Sequence, residues 1–235
     1  MCTHQPDTRT PVAKMSERTY SEEEVKEAKR EFNSLIEKGL DNETVVKRFD
    51  HMSDKYDMVL GMMDYKMPKW MGDSLASLYP GSKEKINILD VAAGTGLASV
   101  QMRKHGFLHI DGLDPSEGML EQAKKNNLYE RYICDILADN TLDISDDTYT
   151  VVTVVGLSSE FFKKLPVKAL EELARVTKSG GHILMSHFDY IFESDVLRTN
   201  LLSLGNRGLW KLEDKKIMPE IVKGITGHLH IYKVL

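Results

Sequence analysis

The sequence contains very little cysteine, with only Cys2 and Cys134 among its 235 residues. Two cysteines in a chain of this length form neither a disulfide framework nor a cluster of metal ligands. Because free cysteines are usually buried, we expect Cys134, which lies in an apolar stretch, to be a small core residue. The cysteine content therefore predicts a protein of a reducing compartment with no metal site.

Long apolar runs and an excess of positive charge are missing as well. No apolar run approaches the roughly 20 residues that span a bilayer, and the polar start of the chain lacks the apolar core of a secretory signal. Acidic residues outnumber basic ones by 36 to 31, which gives a net charge of -5 and no broad cationic surface for nucleic-acid phosphates. We expect a cytoplasmic protein with neither nucleic acid nor a membrane as a partner.

The domain organisation follows from changes of pattern along the chain. Residues 1–20 carry no apolar periodicity and predict a flexible tail. Residues 21–80 predict a helical lid packed on the core: amphipathic helices begin near Ser21 and Asp41, the second reaching Tyr56, and a third begins at Pro68. Residues 81–235 predict the core, so that the whole chain forms one compact domain.

Strands and helices alternate within the predicted core. Strands over 86–91, 108–113, 129–133, 148–155 and 182–187 are separated by helices, which is typical of a mostly parallel sheet covered on both faces. The segments 209–216 and 228–235 are joined too closely for a parallel crossover, so the sheet should end in an antiparallel strand. The fold class is therefore α/β, with a Rossmann-like sheet of seven strands.

The strongest motif is INILDVAAGTGLAS. An apolar strand ends at Asp90, and the chain runs through small residues into a helix that begins near Leu97. Gly94 and Gly96 let the backbone turn sharply and let a ligand approach N–H groups at a helix N-terminus, where partial positive charge collects. Alone, this spacing is also compatible with an ordinary strand-to-helix turn.

Two further acids follow the next two strands. Asp114, in GLDPSEGML, lies where a carboxylate accepts hydrogen bonds from the ribose hydroxyls of a nucleoside. Asp135 and Ile136 follow the third strand and suit an adenine amino group and ring. Loops favour aspartate in any case, so a chance placement of the three acids stays open.

These motifs, with LEELARVTKSGGHILM, resemble the ordered motifs of the class I S-adenosylmethionine (SAM)-dependent methyltransferases over about residues 42–190. The resemblance implies that the glycine-rich turn binds the methionine part of SAM, Asp114 the ribose and Asp135 the adenine amino group. It implies that Asp90 contacts the SAM amino group or orders the turn through water. The implied cofactor site comprises Tyr56, Asp90, Ala92, Ala93, Gly94, Thr95, Gly96, Asp114, Pro115, Met119, Asp135, Ile136, Gly156 and Leu157.

Some positions refine or depart from the family pattern. The segments GLDPSEGMLEQAKKNNLYERYICDIL and VVGLSSEF resemble the group of methyltransferase-like proteins named after the Williams-Beuren critical region. This narrower resemblance implies no particular acceptor. Ala92 stands where the family usually has its first glycine. Thr150 replaces a common aspartate and Ser179 a proline, and none of these changes removes a ligand-binding carboxylate.

Two other functions fit part of the pattern. A nicotinamide-dependent oxidoreductase has the same spacing from Gly94 to Asp114, but Ser99 at the third glycine position, Asp90, Asp135 and the antiparallel last strand favour SAM. A catalytically silent SAM-binding protein stays open, because no signature of a general base is present.

The acceptor is predicted only by class. The chain reads Gly156-Leu157-Ser158-Ser159 after the fourth strand and lacks the Asn/Asp-Pro-Pro-Tyr motif that marks amide and exocyclic-amine methylation in the family. We therefore expect methyl transfer to an O or N atom of a small molecule, with the oligomeric state left open. By analogy of fold, the substrate-contact candidates are His51, Glu160, His187 and Tyr190, each of which also has a purely structural explanation.

Overall fold

The computed structural model describes residues 21–35, 37–188 and 194–235. The tail predicted over residues 1–20 and the candidate Tyr190 lie outside the described residues.

Seven strands of the described chain form one sheet in the order β3-β2-β1-β4-β5-β7-β6. The first five pair in parallel, and β7 is antiparallel to both β5 and β6. The predicted Rossmann-like sheet with an antiparallel end is therefore confirmed. The strands are β1 (Asn87–Val91), β2 (His109–Leu113), β3 (Tyr132–Ile133), β4 (Tyr149–Val154), β5 (Thr177–Phe188), β6 (Trp210–Val222) and β7 (Ile225–Val234).

Helices cover both faces of this sheet, and four of them precede its first strand. The helices are α1 (Glu22–Leu35), α2 (Asn42–Met52), α3 (Tyr56–Met62), α4 (Met67–Leu78), α5 (Leu97–Lys104), α6 (Glu117–Lys125), α7 (Ser159–Lys163), α8 (Val167–Val176) and α9 (Asp195–Asn206). Helices α4, α5 and α6 bury apolar residues on one face of the sheet, and α7, α8 and α9 on the other. Helices α1, α2 and α3 share a small separate core around Met52 and Val59.

The ends of the first helices are set by local capping. The Ser21 hydroxyl accepts a hydrogen bond from Glu24 N while the Glu24 carboxylate accepts one from Ser21 N, which forms a capping box. The Asp41 carboxylate accepts one from Thr44 N and so caps α2. These contacts satisfy N–H groups that a helix N-terminus otherwise leaves without partners.

Several boundaries differ from the predictions. The second helix was expected to reach Tyr56, but α2 ends at Met52 and α3 starts at Tyr56, because the intervening Ser-Asp-Lys segment favours a turn. Strand β5 begins at Thr177, five residues early, and the short helix α7 was not predicted.

Cys134 is exposed, so its predicted burial is wrong. Strand β3 has two residues, lies at the edge of the sheet and ends at Ile133. Cys134 is therefore already beyond the sheet, where no neighbouring strand covers it. Along the described residues, we find no helix whose length and apolar character match a bilayer crossing.

Candidate functional site

A mostly apolar cavity, partly open to solvent, lies between the carboxyl ends of β1, β2 and β4 and the helices α2 and α3. We call it the first cavity. A partly enclosed apolar space with a few polar groups is the usual form of a small-molecule site. Its wall comprises Asn42, Val45, Val46, Phe49, Tyr56, Leu60, Tyr65, Pro68, Val91, Ala92, Ala93, Gly94, Thr95, Leu97, Ala98, Leu113, Asp114, Pro115, Ser116, Met119, Ile136, Leu137, Val155, Gly156, Leu157, Ser158 and Phe161.

The glycine-rich turn forms the floor of this cavity. Gly94 has φ +55°, and a Cβ added there would have no heavy atom within 4 Å, so its Cα faces open space. Gly96 has φ +92° and begins α5, and a Cβ there would collide with the Leu128 side chain. Ala92, at the position where the family usually has glycine, also has a left-handed backbone, with φ +56°. The turn is therefore held in a conformation that disfavours side chains.

Asp114 links this turn to the next helix. Its carboxylate accepts hydrogen bonds from Gly94 N and Ser116 N, both at 2.9 Å. The residue is 8% exposed, and that exposed part faces the first cavity. Burial raises the pKa of Asp114 to about 6, although the two backbone hydrogen bonds favour the ionised form. A carboxylate held in this way retains free lone pairs for hydroxyl donors in the cavity.

Asp90 lies behind the turn and does not line the first cavity. Its two carboxylate oxygens accept hydrogen bonds from the Thr153 hydroxyl at 2.7 Å and the Tyr129 hydroxyl at 2.8 Å. The Tyr129 ring occupies the space where a Cβ at Gly112 would lie. Asp90 on β1 is therefore joined beneath the turn to β4 and to the segment between α6 and β3. No motif in the sequence indicated Tyr129 as its partner.

The burial of Asp90 predicts a pH dependence of stability. Burial raises the pKa of Asp90 to about 7, against the hydrogen bonds from Thr153 and Tyr129. The folded chain thus retains a proton that an unfolded aspartate releases near the ordinary value of 3.8, so the free energy of unfolding falls as pH rises between those values. We expect the thermal midpoint of Asp90→Asn to fall less than that of the wild type between about pH 5 and about pH 8.

The matched control for this prediction is Asp143→Asn, because Asp143 is exposed. It should keep the pH slope of the wild type, as measured by thermal unfolding in a series of buffers. An Asp90→Asn slope equal to that of the wild type would mean that Asp90 does not hold its proton in the folded chain.

Two carboxylates of the first helices bind the glycine-rich turn and the start of α6. The Thr95 hydroxyl donates a hydrogen bond to Asp57, and burial raises the pKa of Asp57. Asp50 accepts hydrogen bonds from the Ser116 hydroxyl at 2.6 Å and from Gly118 N at 2.9 Å. Sequence reasoning missed both contacts, because each joins residues far apart in the chain and an acid on an amphipathic helix is usually solvated.

Two tyrosines face the first cavity, Tyr56 from the start of α3 and Tyr65 from the segment between α3 and α4. Tyr56 and Tyr65 both line it, and burial raises the pKa of each phenol far above its usual range. The Tyr65 hydroxyl donates to the Met67 sulfur at 3.2 Å. It lies 2.7 Å from the place where a Cβ at Gly156 would be. Tyr65, which the sequence did not single out, thus lies where a side chain at position 156 would project, and the φ of +70° at Gly156 favours glycine there as well.

The structure brings together most of the predicted cofactor residues. Eleven of the fourteen line the first cavity, the exceptions being Asp90, Gly96 and Asp135. The Asp135 carboxylate accepts hydrogen bonds from Ile136 N at 2.7 Å and Asn140 Nδ2 at 3.1 Å, which shapes its own loop. Asp90 and Gly96 support the turn from behind.

The candidates for substrate contact are more scattered. His51 is 76% exposed and lies 3.7 Å from Glu31. Glu160 lies 3.6 Å from Lys163. His187 is 2% exposed and stacks on His228 with ring centroids 5.6 Å apart. These three described candidates do not line the first cavity.

Comparisons with known proteins agree with this arrangement. A family model described as a methyltransferase domain matches residues 88–181. Human methyltransferase-like protein 27 is 34% identical over 169 residues, which cover 69% of this chain and 66% of the human protein. A demethylmenaquinone methyltransferase from Clavibacter sepedonicus is 31% identical over 190 residues, covering 80% of this chain and 71% of that protein.

Solved structures show the same fold at lower identity. A SAM-dependent methyltransferase from Leishmania major is 17% identical with a TM-score of 0.58, covering 88% of this chain and 91% of that one. A TehB-like SAM-dependent methyltransferase from Corynebacterium glutamicum is 14% identical with the same TM-score of 0.58, covering 80% of this chain and 99% of that one. The identity to the Clavibacter protein, over most of both chains, goes beyond a shared fold. The chain therefore belongs to the class I SAM-dependent methyltransferase family.

Proposed function

We propose that this protein transfers a methyl group from SAM to an O or N atom of a small-molecule acceptor. One observation carries the proposal: a single apolar cavity joins the glycine-rich turn and Asp114 at one end to Ser158 and Phe161 at the other. Polar groups at one place in an otherwise apolar cavity orient a ligand, and the remaining apolar wall suits a second, apolar molecule beside it. In the same proposal, residues 21–80 form the lid, residues 81–235 form the core, and the protein acts in the cytoplasm.

The residues of the first cavity fit SAM. Gly94 faces open space at the N-terminus of α5, where backbone N–H groups attract a carboxylate. Asp114 offers acceptor lone pairs to ribose hydroxyls, and Met119 and Ile136 supply apolar surface for a ring. When bound, SAM supplies an electrophilic methyl group on a sulfonium.

The described wall of the first cavity offers no group suited to be a general base. Its ionisable side chains are Asp114, Tyr56 and Tyr65. Asp114 is engaged by two backbone N–H groups and, in this proposal, by the ribose hydroxyls. Both phenols hold their protons because burial raises their pKa values. The chain therefore contributes positioning and exclusion of water, which is worth up to about 7 to 11 kcal/mol. This favours acceptors that are already nucleophilic near neutral pH, such as amines and acidic phenols.

A second candidate is methylation of a ring carbon. The Clavibacter relative is a demethylmenaquinone methyltransferase, and a relative from Rickettsia bellii is a ubiquinone/menaquinone biosynthesis C-methyltransferase. The apolar wall formed by Val45, Val46, Phe49 and Phe161 suits an aromatic ring. An electron-rich phenol is nucleophilic at carbon as well as at oxygen, so the methylated product has to be identified.

Calorimetric titration with SAM, S-adenosylhomocysteine and NADH tests the cofactor, with thermal shifts as an independent measure. We expect binding of the two adenosyl ligands alone. Incubation with SAM and a panel of amines, phenols and hydroquinones, followed by mass spectrometry and NMR, then distinguishes N-, O- and C-methylation. Binding of NADH alone would overturn the proposal, and tight SAM binding without turnover on any acceptor would favour a silent SAM-binding protein.

A further inference from the structure

A second cleft, of about 600 Å³ and partly open to solvent, lies between the end of α1, the start of α2 and the segment that follows β4. It shares four wall residues with the first cavity: Asn42, Val45, Ser158 and Phe161. Ser158 and Phe161 follow β4 and Asp114 follows β2, and β1 lies between these two strands, so this part of the shared wall is on the far side of β1 from Asp114. The second cleft is therefore an outer continuation of the space beside the cofactor residues.

Most of the acidic charge around the second cleft is neutralised within the protein. Glu37 pairs with Arg48, with an Oε2 to Nη1 distance of 2.7 Å. Glu160 pairs with Lys163 at 3.6 Å. Asp139 is the third acid of this wall, and it is exposed.

Two lysines of the same wall are available for a ligand. Lys38 and Lys164 line the second cleft and are exposed, and neither forms an ion pair with any residue that the structure describes. Against the single remaining acid, Asp139, a chain with a net charge of -5 thus places two ammonium groups without an ion-pair partner on the wall of a cleft that adjoins its apolar cavity. Ammonium groups placed in this way favour the approach of an anionic group.

Resting on the proposed methyl transfer, we infer that the second cleft is an acceptor subsite for an anionic group. Its ligand is an elongated molecule whose apolar, methyl-accepting end lies in the first cavity and whose carboxylate, sulfate or phosphate lies between Lys38 and Lys164. Val45 and Phe161 provide the apolar wall that continues from one space into the other. In terms of the proposed function, the acceptor has a negative charge at a distance from the atom that receives the methyl group.

Two fluorescent probes test the subsite on the full chain saturated with S-adenosylhomocysteine. 8-Anilinonaphthalene-1-sulfonate and N-phenyl-1-naphthylamine share their aromatic rings and differ in the sulfonate. For the Lys38→Glu/Lys164→Glu double variant, we expect the affinity for the sulfonate probe to fall about tenfold at low ionic strength, and less in high salt, with the neutral probe changed less than about twofold.

Lys211→Glu/Lys223→Glu is the matched control. It makes the same change of charge at two exposed lysines on β6 and the turn after it, and it should leave the affinity for both probes nearly unchanged. A second test, Ala138→Trp, fills the second cleft at a position that does not line the first cavity. Ala138→Trp should weaken the binding of both probes, while its affinity for S-adenosylhomocysteine should equal that of the wild type.

Equal losses for the sulfonate probe in the two double variants would overturn the subsite, because the probe would then respond only to net charge. Unchanged probe binding in Ala138→Trp would overturn it too. Failure of S-adenosylhomocysteine to bind the wild type would instead contradict the proposed function, so the two failures are distinguishable.

Discussion

Asp114→Ala is expected to weaken SAM binding by about 100-fold or more while the chain stays folded, which corresponds to at least ~2.7 kcal/mol. The substitution removes the carboxylate that faces the first cavity and that also accepts hydrogen bonds from Gly94 N and Ser116 N. Hydrogen bonds to a charged group contribute about 1.5 to 3 kcal/mol each. Calorimetry with SAM measures the affinity, and chemical denaturation measures the remaining stability.

Glu117→Ala is the control, because Glu117 is exposed three residues further on and does not line the first cavity. It should bind SAM as the wild type does. Since the pKa of Asp114 is about 6, the wild-type affinity for SAM should also fall as pH decreases through that value, and Asp114→Ala should lose this dependence. An unaltered affinity in a folded Asp114→Ala protein would remove Asp114 from the site.

Gly94→Val is expected to reduce SAM affinity by about 100-fold or more, an effect of similar size. The new side chain would project into the open space of the first cavity, where a Cβ meets no heavy atom within 4 Å. The left-handed backbone, with φ +55°, adds a loss of about 1 to 2 kcal/mol in the free energy of unfolding. Gly94→Ala should show a smaller loss of affinity, because it fills less of the cavity.

Gly180→Val separates these two effects. Gly180 also has a left-handed backbone, with φ +77°, and open space around its Cα, but it does not line the first cavity. It should lose a similar amount of stability and none of its affinity for SAM. If Gly94→Val binds SAM as tightly as Gly180→Val does, the floor of the first cavity is not the cofactor site.

The parts of the fold and site that the sequence predicted have local causes. Gly94 and Gly96 specify a strand-to-helix turn over a few residues, and Asp114 follows its strand directly, so a parallel sheet brings them to one edge without further information. The prediction for Cys134 failed because it depended on the length of β3, which is set by the place of that strand at the sheet edge.

The residues that the sequence did not reveal depend on contacts between distant segments. Asp57 meets Thr95 across 38 positions, and Tyr129 meets Asp90 across 39. Tyr65 becomes important only because the segment between α3 and α4 lies against the end of β4. No pattern within one segment predicts such a contact, because the contact forms only when distant segments of the chain pack together.

The order of the last strands has a consequence for synthesis on the ribosome. Strand β7 is made after β6 but lies between β5 and β6. A nascent chain that stops short of Ile225 therefore leaves the edge of β5 without its neighbour, and β6 has no strand to pair with. Open edges of this kind pair readily with other chains. We expect the sheet to close only after β7 has emerged, so that ribosome-bound fragments ending before it bind chaperones more strongly than fragments that include it.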